Sequence, residues 1–102
     1  MSESNRIIIT VLGSTKYRNE INQWALKRTK ERFLVLFAPF AKEDIPNLED
    51  LREELEIQHF QKIRMANLVF VYNKDKYIGD STRLEIEYAK LIGKRIDYLE
   101  GK

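Results

Sequence analysis

Residues 6–15 read Arg-Ile-Ile-Ile-Thr-Val-Leu-Gly-Ser-Thr: an apolar, β-branched run, then Gly13-Ser14-Thr15 to break it. Such a run suits a strand covered on both faces, as parallel sheets require. The pattern recurs as FLVLF at 33–37 and LVFVY at 68–72, and residues 95–99 make a fourth, edge-like strand. The segments between them change period. Over 17–30, Ile21, Trp24, Ala25 and Arg28 share a helical face. Leu48, Leu51, Leu55, His59 and Ile63 trace the stripe of a longer helix ending near Ala66. Residues 82–92 form a third helix, closed by Gly93 in the left-handed conformation, with Lys94 and Arg95 at its negative end. The βαβαβαβ order predicts a three-layer αβα sandwich of Rossmann or flavodoxin type, with a four-stranded parallel sheet in order 2-1-3-4. Ligands of such sheets sit beyond the carboxyl ends of the strands, where strand order reverses. That places the loops after strands one and three, 13–16 and 73–81, face to face.

Composition bounds the rest. The 102 residues, 43% hydrophobic and 33% charged, suit one domain spanning 1–102 with one core. Four Gly and two Pro supply no linker. The 18 basic and 16 acidic residues leave +2, too even a balance for a general binder of polymeric nucleic acid. With no cysteine there is no disulfide framework, thiolate chemistry or zinc finger. No apolar run approaches the roughly 18 residues of a membrane span, and the polar start carries no signal-peptide core. A soluble cytoplasmic protein without metal or cofactor is the expectation.

The familiar α/β signatures are absent. No G-x-G-x-x-G follows the first strand and no G-x-x-x-x-G-K-[ST] occurs. Four constellations remain. In Gly13-Ser14-Thr15-Lys16, with Arg18 beyond, a glycine turn, two hydroxyls and free N–H groups can form an anion pocket. The same residues also make an ordinary capped βα turn. In the second run, Tyr77-Ile78-Gly79-Asp80-Ser81-Thr82-Arg83-Leu84-Glu85, Glu85 shares the inward helical face with Ala89 and Ile92, while Glu87 faces solvent. A buried-side carboxylate in a first helical turn is a candidate nucleophile, kept ionised by the helix dipole. Thr82-x-x-Glu85 is equally a capping box, the commoner meaning of that pattern. The lone His59 continues the Leu51–Leu55–Ile63 stripe and reads first as a core residue. Phe40, after strand two, reads as a cover for the core.

The stretches ITVLGSTKYRNE and HFQKIRMANLVFVYNKDKYIGDSTRLEIEYAKLIGKRIDYLE resemble the nucleoside 2-deoxyribosyltransferase-like superfamily, YIGDSTRLEIEYAKLIGK most specifically. The likeness omits residues 41–54. It implies cleavage or transfer of the N-glycosidic bond of a deoxynucleoside or its 5′-monophosphate. It puts the nucleophile on Glu85, the sugar or phosphate turn on Gly13 and Ser14, and the acidic residue before the nucleophile on Asp80. Asn67 falls where relatives carry an Asp that holds and protonates the leaving base. The expected substrate-binding set is Gly13, Ser14, Thr15, Lys16, Asn67, Asn73, Tyr77, Gly79 and Ser81, with Glu85 and Asp80 catalytic. Relatives build sites across subunits, so a homodimer or higher homo-oligomer is expected, its interface on the long helix over 48–63. A non-catalytic nucleotide-binding or sensing domain, and an oligomeric adaptor without ligand, stay open as rivals.

Overall fold

The computed structural model describes residues 5–38 and 48–101 of the chain. Phe40 and the two prolines lie outside them. In chain order the elements are β1 (Ile8–Gly13), a 3₁₀ turn (Thr15–Tyr17), α1 (Arg18–Lys30), β2 (Leu34–Leu36), α2 (Leu48–Met65), β3 (Leu68–Tyr72), a second 3₁₀ turn (Lys74–Lys76), α3 (Asp80–Leu91) and β4 (Ile96–Tyr98). The strands form a parallel sheet in order β2-β1-β3-β4, as the alternation predicts.

Side-chain alternation along β1 and β3 divides the core. Ile9, Val11, Phe70 and Tyr72 point towards α1, where they meet Tyr17, Ile21 and Trp24. Trp24 stacks on Phe70 with ring centroids 4.3 Å apart. Leu12, Val69 and Val71 point the other way, against Ile63 and Ala66 at the end of α2 and Ile86 and Ala89 of α3. One helix therefore covers one face and two cover the other. Thr10, fully buried on the α2 side, donates its hydroxyl to the Lys62 carbonyl at 2.7 Å. Lys94 Nζ donates to the Arg64 and Ala66 carbonyls at 2.8 and 2.7 Å. The carbonyls that a helix leaves unpaired at its C-terminus are thus met from the sheet and from the loop before β4.

Two local expectations change. The 33–37 run is not a buried strand: β2 has three residues, and Leu34 is 44% exposed. Its place at the sheet edge gives it one hydrogen-bonded neighbour. Helix α3 begins at Asp80, two residues before the expected start, with Gly79 as its N-cap and no side-chain cap. No helix among the described residues is long and apolar enough to cross a membrane.

Both α1 and α3 end in the same backbone motif. After α3, Gly93 takes φ 78°, with Gly93 N–H donating to Lys90 O and Lys94 N–H to Ala89 O. After α1, Arg32 takes φ 78°, with Arg32 N–H donating to Thr29 O and Phe33 N–H to Arg28 O. This is the Schellman arrangement, which places its penultimate residue in the left-handed region at a cost of roughly 1–2 kcal/mol to any side chain with a Cβ. Gly93 avoids that cost and Arg32 bears it. Gly93→Ala should lower stability by about 1 kcal/mol and Arg32→Gly raise it by a similar amount. Urea unfolding followed by circular dichroism measures both, and shifts of the same sign would contradict the shared motif.

Candidate functional site

The cavity lies at the carboxyl end of β1 and exists because the two edges of that strand are unequally paired. Towards β3 the ladder runs from Ile9↔Leu68 to Gly13↔Tyr72. Towards β2 it stops at Thr10↔Leu36. Where the second ladder stops, a space of about 180 Å³ opens, lined by Val11, Gly13, Thr15, Ile21, Phe37, Ala38, His59, Ser81, Thr82 and Glu85. It therefore sits on the β2 side of β1, not between strands one and three. The expected loops do meet: Lys16 Nζ lies 4.1 Å from the centroid of the Tyr77 ring, and next to it the Tyr17 hydroxyl donates to Lys74 O at 3.1 Å.

Glu85 is the half-buried carboxylate of this cavity. Its side chain is 17% exposed, and Oε1 lies 3.5 Å from Nε2 of His59, whose side chain is 6% exposed. The earlier start of α3 removes the capping box at Glu85 and the first-turn dipole that would keep it ionised, and leaves its place in the cavity wall. Thr82 lies inside the helix and is buried, so it does not act as the N-cap that a Thr82-x-x-Glu85 capping box requires. Glu85 is the sixth helical residue, beyond the first turn in which the dipole acts strongly. Asp80 occupies that first turn instead and is exposed. Glu87 is exposed too, as its position on the helix implies.

His59 is the residue that periodicity undervalued. It continues the inward stripe of α2 as expected and is buried, but it faces the cavity rather than closed core. Its Nδ1 is buried with no hydrogen-bond partner among the described residues. His59 and Glu85 are the two titratable side chains in the cavity wall.

The remaining expected residues divide. Gly13, Thr15 and Ser81 line the cavity. A Cβ on Gly13 would stand 3.0 Å from Ile21 Cδ1 and 3.3 Å from Tyr72 Cβ, so a side chain there would crowd α1 and β3. Ser14 Oγ accepts the Lys16 N–H at 3.1 Å and caps the turn. Lys16 Nζ lies 4.1 Å from the centroid of the Tyr77 ring, drawn onto an aromatic face. Tyr77 packs edge-on against Tyr17, and Gly79 lies against Tyr77. None of Ser14, Lys16, Tyr77, Gly79 and Asp80 reaches the cavity wall.

Asn67 and Asn73 stand apart from the cavity wall. Asn67 stands before β3, at the amino end of a parallel strand, where its Oδ1 accepts the Ile8 N–H at 2.8 Å. Gly13, at the site, is five residues further along β1, roughly 16 Å away at about 3.3 Å per residue. Asn67 is therefore no part of the cavity wall. Asn73, 1% exposed, is committed to the chain's end: its Nδ2 donates to Glu100 O at 3.0 Å and its Oδ1 accepts the Glu100 N–H at 2.9 Å. Beside it Lys74 is ion-paired with Glu20 of α1. That hydrogen bond raises the Lys74 ammonium above its ordinary value, and burial, followed by the charge of Glu20, raises the Tyr72 phenol. Among the described residues no group of His, Asp and Glu is placed to hold a metal ion.

Asn73 is thus a structural clasp. Asn73→Ala should cost about 1–3 kcal/mol, the price of stranding buried polar partners, and leave ligand affinity unchanged. Thermal unfolding and ligand titration of one preparation measure the two effects. Weakened binding at unchanged stability would contradict the assignment. No family model matches this chain, and no curated protein matches it either.

Proposed function

We propose that this domain cleaves or transfers the N-glycosidic bond of a deoxynucleoside or its 5′-monophosphate, with Glu85 as nucleophile. The observation that carries the reading is a carboxylate walled into a small cavity at the carboxyl end of a parallel sheet, paired with the one histidine of the chain. The likeness of the segment around Glu85 to deoxyribosyl-transferring enzymes supports it. The size of the cavity does as well. At about 180 Å³ it is smaller than the roughly 300–1,000 Å³ that encloses a drug-sized ligand, and it is scaled to a pentose with its base at the mouth.

In this mechanism the anomeric carbon gains oxocarbenium character as the base departs. One Glu85 oxygen bonds to that carbon as the C–N bond breaks, and the electron pair leaves on the base nitrogen. Water or an incoming base then displaces Glu85, so configuration is retained. The apolar walls, Val11, Ile21, Phe37 and Ala38, limit competing water around the carboxylate. Thr15, Ser81 and Thr82 supply hydroxyls for the sugar.

Base release from a panel of deoxynucleosides and their 5′-monophosphates, followed by chromatography, tests the reading. Wild type should release base, Glu85→Gln should fall to the level of a protein-free control, and Glu87→Gln should retain activity. Activity surviving in Glu85→Gln refutes the mechanism. Saturable nucleotide binding without release supports the rival, a non-catalytic nucleotide-binding domain. Assembly into a homo-oligomer through α2, which turns Ile57 outward at 55% exposure, belongs to the same proposal. Sedimentation at micromolar concentration should give more than one chain per particle, and a monomer would count against it.

A further inference from the structure

We infer that His59 is the positioning residue of this site: its Nε2–H holds one oxygen of Glu85 and so presents the other to the sugar. The inference rests on the reading of Glu85 as nucleophile.

The tautomer follows from burial. Nδ1 is buried and has no partner among the described residues. A proton there would strand an N–H donor away from water, at a cost of roughly 1–3 kcal/mol. A bare Nδ1 lone pair is the lesser cost, since buried acceptors go unpaired more readily than donors. The proton of the neutral ring therefore sits on Nε2, which is the nitrogen facing Glu85 Oε1 at 3.5 Å. The opposite tautomer would set a lone pair against a carboxylate oxygen.

The separation exceeds a formed N–H···O bond, ordinarily about 2.7–3.2 Å. Hydrogen bonds of this kind commonly tighten when substrate fills a site. Both partners stand on regular helix, His59 within α2 and Glu85 within α3, so little rearrangement is needed to close the gap. With Oε1 held, Oε2 is the oxygen that bonds to the anomeric carbon as the C–N bond breaks. In the return step a water oxygen bonds to that carbon, the ester C–O electrons go back to Glu85, and the water proton passes to solvent. The restored carboxylate is again the form that Nε2–H binds.

Since the chain has a single histidine, its imidazole signals need no assignment. Long-range ¹H–¹⁵N correlation on the free protein should show the Nε2–H tautomer, and Glu85→Gln should shift both ring nitrogens while Glu87→Gln leaves them in place. In base release, His59→Leu should lower kcat by about 100-fold with KM held, the scale of a reacting group misplaced by about 1 Å. His59→Gln, which keeps an N–H and cannot titrate, should recover most of that loss. An Nδ1–H tautomer, or ring nitrogens unmoved in Glu85→Gln, overturns the inference. So does an unaltered kcat in His59→Leu, although the proposed reaction would stand. Wild type that shows the ring coupling yet releases no base overturns the reaction and upholds the pairing.

Discussion

β1 is hydrogen-bonded on both edges, and the unequal length of its two ladders is the constraint on which the site depends. The long ladder to β3 carries the strand as far as Gly13. The short ladder to β2 ends at Thr10 and leaves the last turn of the sheet open on one side. Into that opening α2 turns His59 and α3 turns Glu85. A longer β2 would continue past Leu36 along β1 and fill the space with backbone. The cavity is thus a product of sheet geometry before it is a product of any polar residue.

The same geometry decides which groups can share chemistry. In a parallel sheet all amino ends lie at one side and all carboxyl ends at the other. Asn67 and Glu85 belong to opposite ends, whatever their order in a motif. His59 reaches Glu85 from a helix that precedes β3 in the chain, because α2 and α3 lie on one face of the sheet. The second 3₁₀ turn, where Asp75 and Lys76 both take positive φ, is held on two sides, by α1 through Lys74–Glu20 and by the C-terminal segment through Asn73–Glu100. These contacts occupy residues that would otherwise pass for ligand groups.

What was legible in the sequence was periodic. Apolar runs with turn residues between them settle strand number, order and the face that each helix buries, and the sheet follows. Residues 33–37 misled because an apolar run does not tell an edge strand from a central one. The start of α3 misled because Gly79 caps it with no side chain, whereas Ser81 and Thr82, better cap formers by type, lie inside the helix. Arg32 carries no residue-type sign of its left-handed conformation, while Gly93 does. His59 shows how far such reading goes. Its spacing gives its direction from the helix axis, but not its depth along β1, and depth is what separates core from cavity wall.

The central claim is that the Glu85 oxygen itself bonds to the sugar. Acid quenching of a steady-state reaction with a deoxynucleoside, then peptide mass spectrometry, tests that bond directly. A single deoxyribosyl ester on the peptide that carries Glu85, absent from Glu85→Gln, is the expected result. Steady base release with that peptide unmodified, or with the sugar attached at another residue, would contradict it.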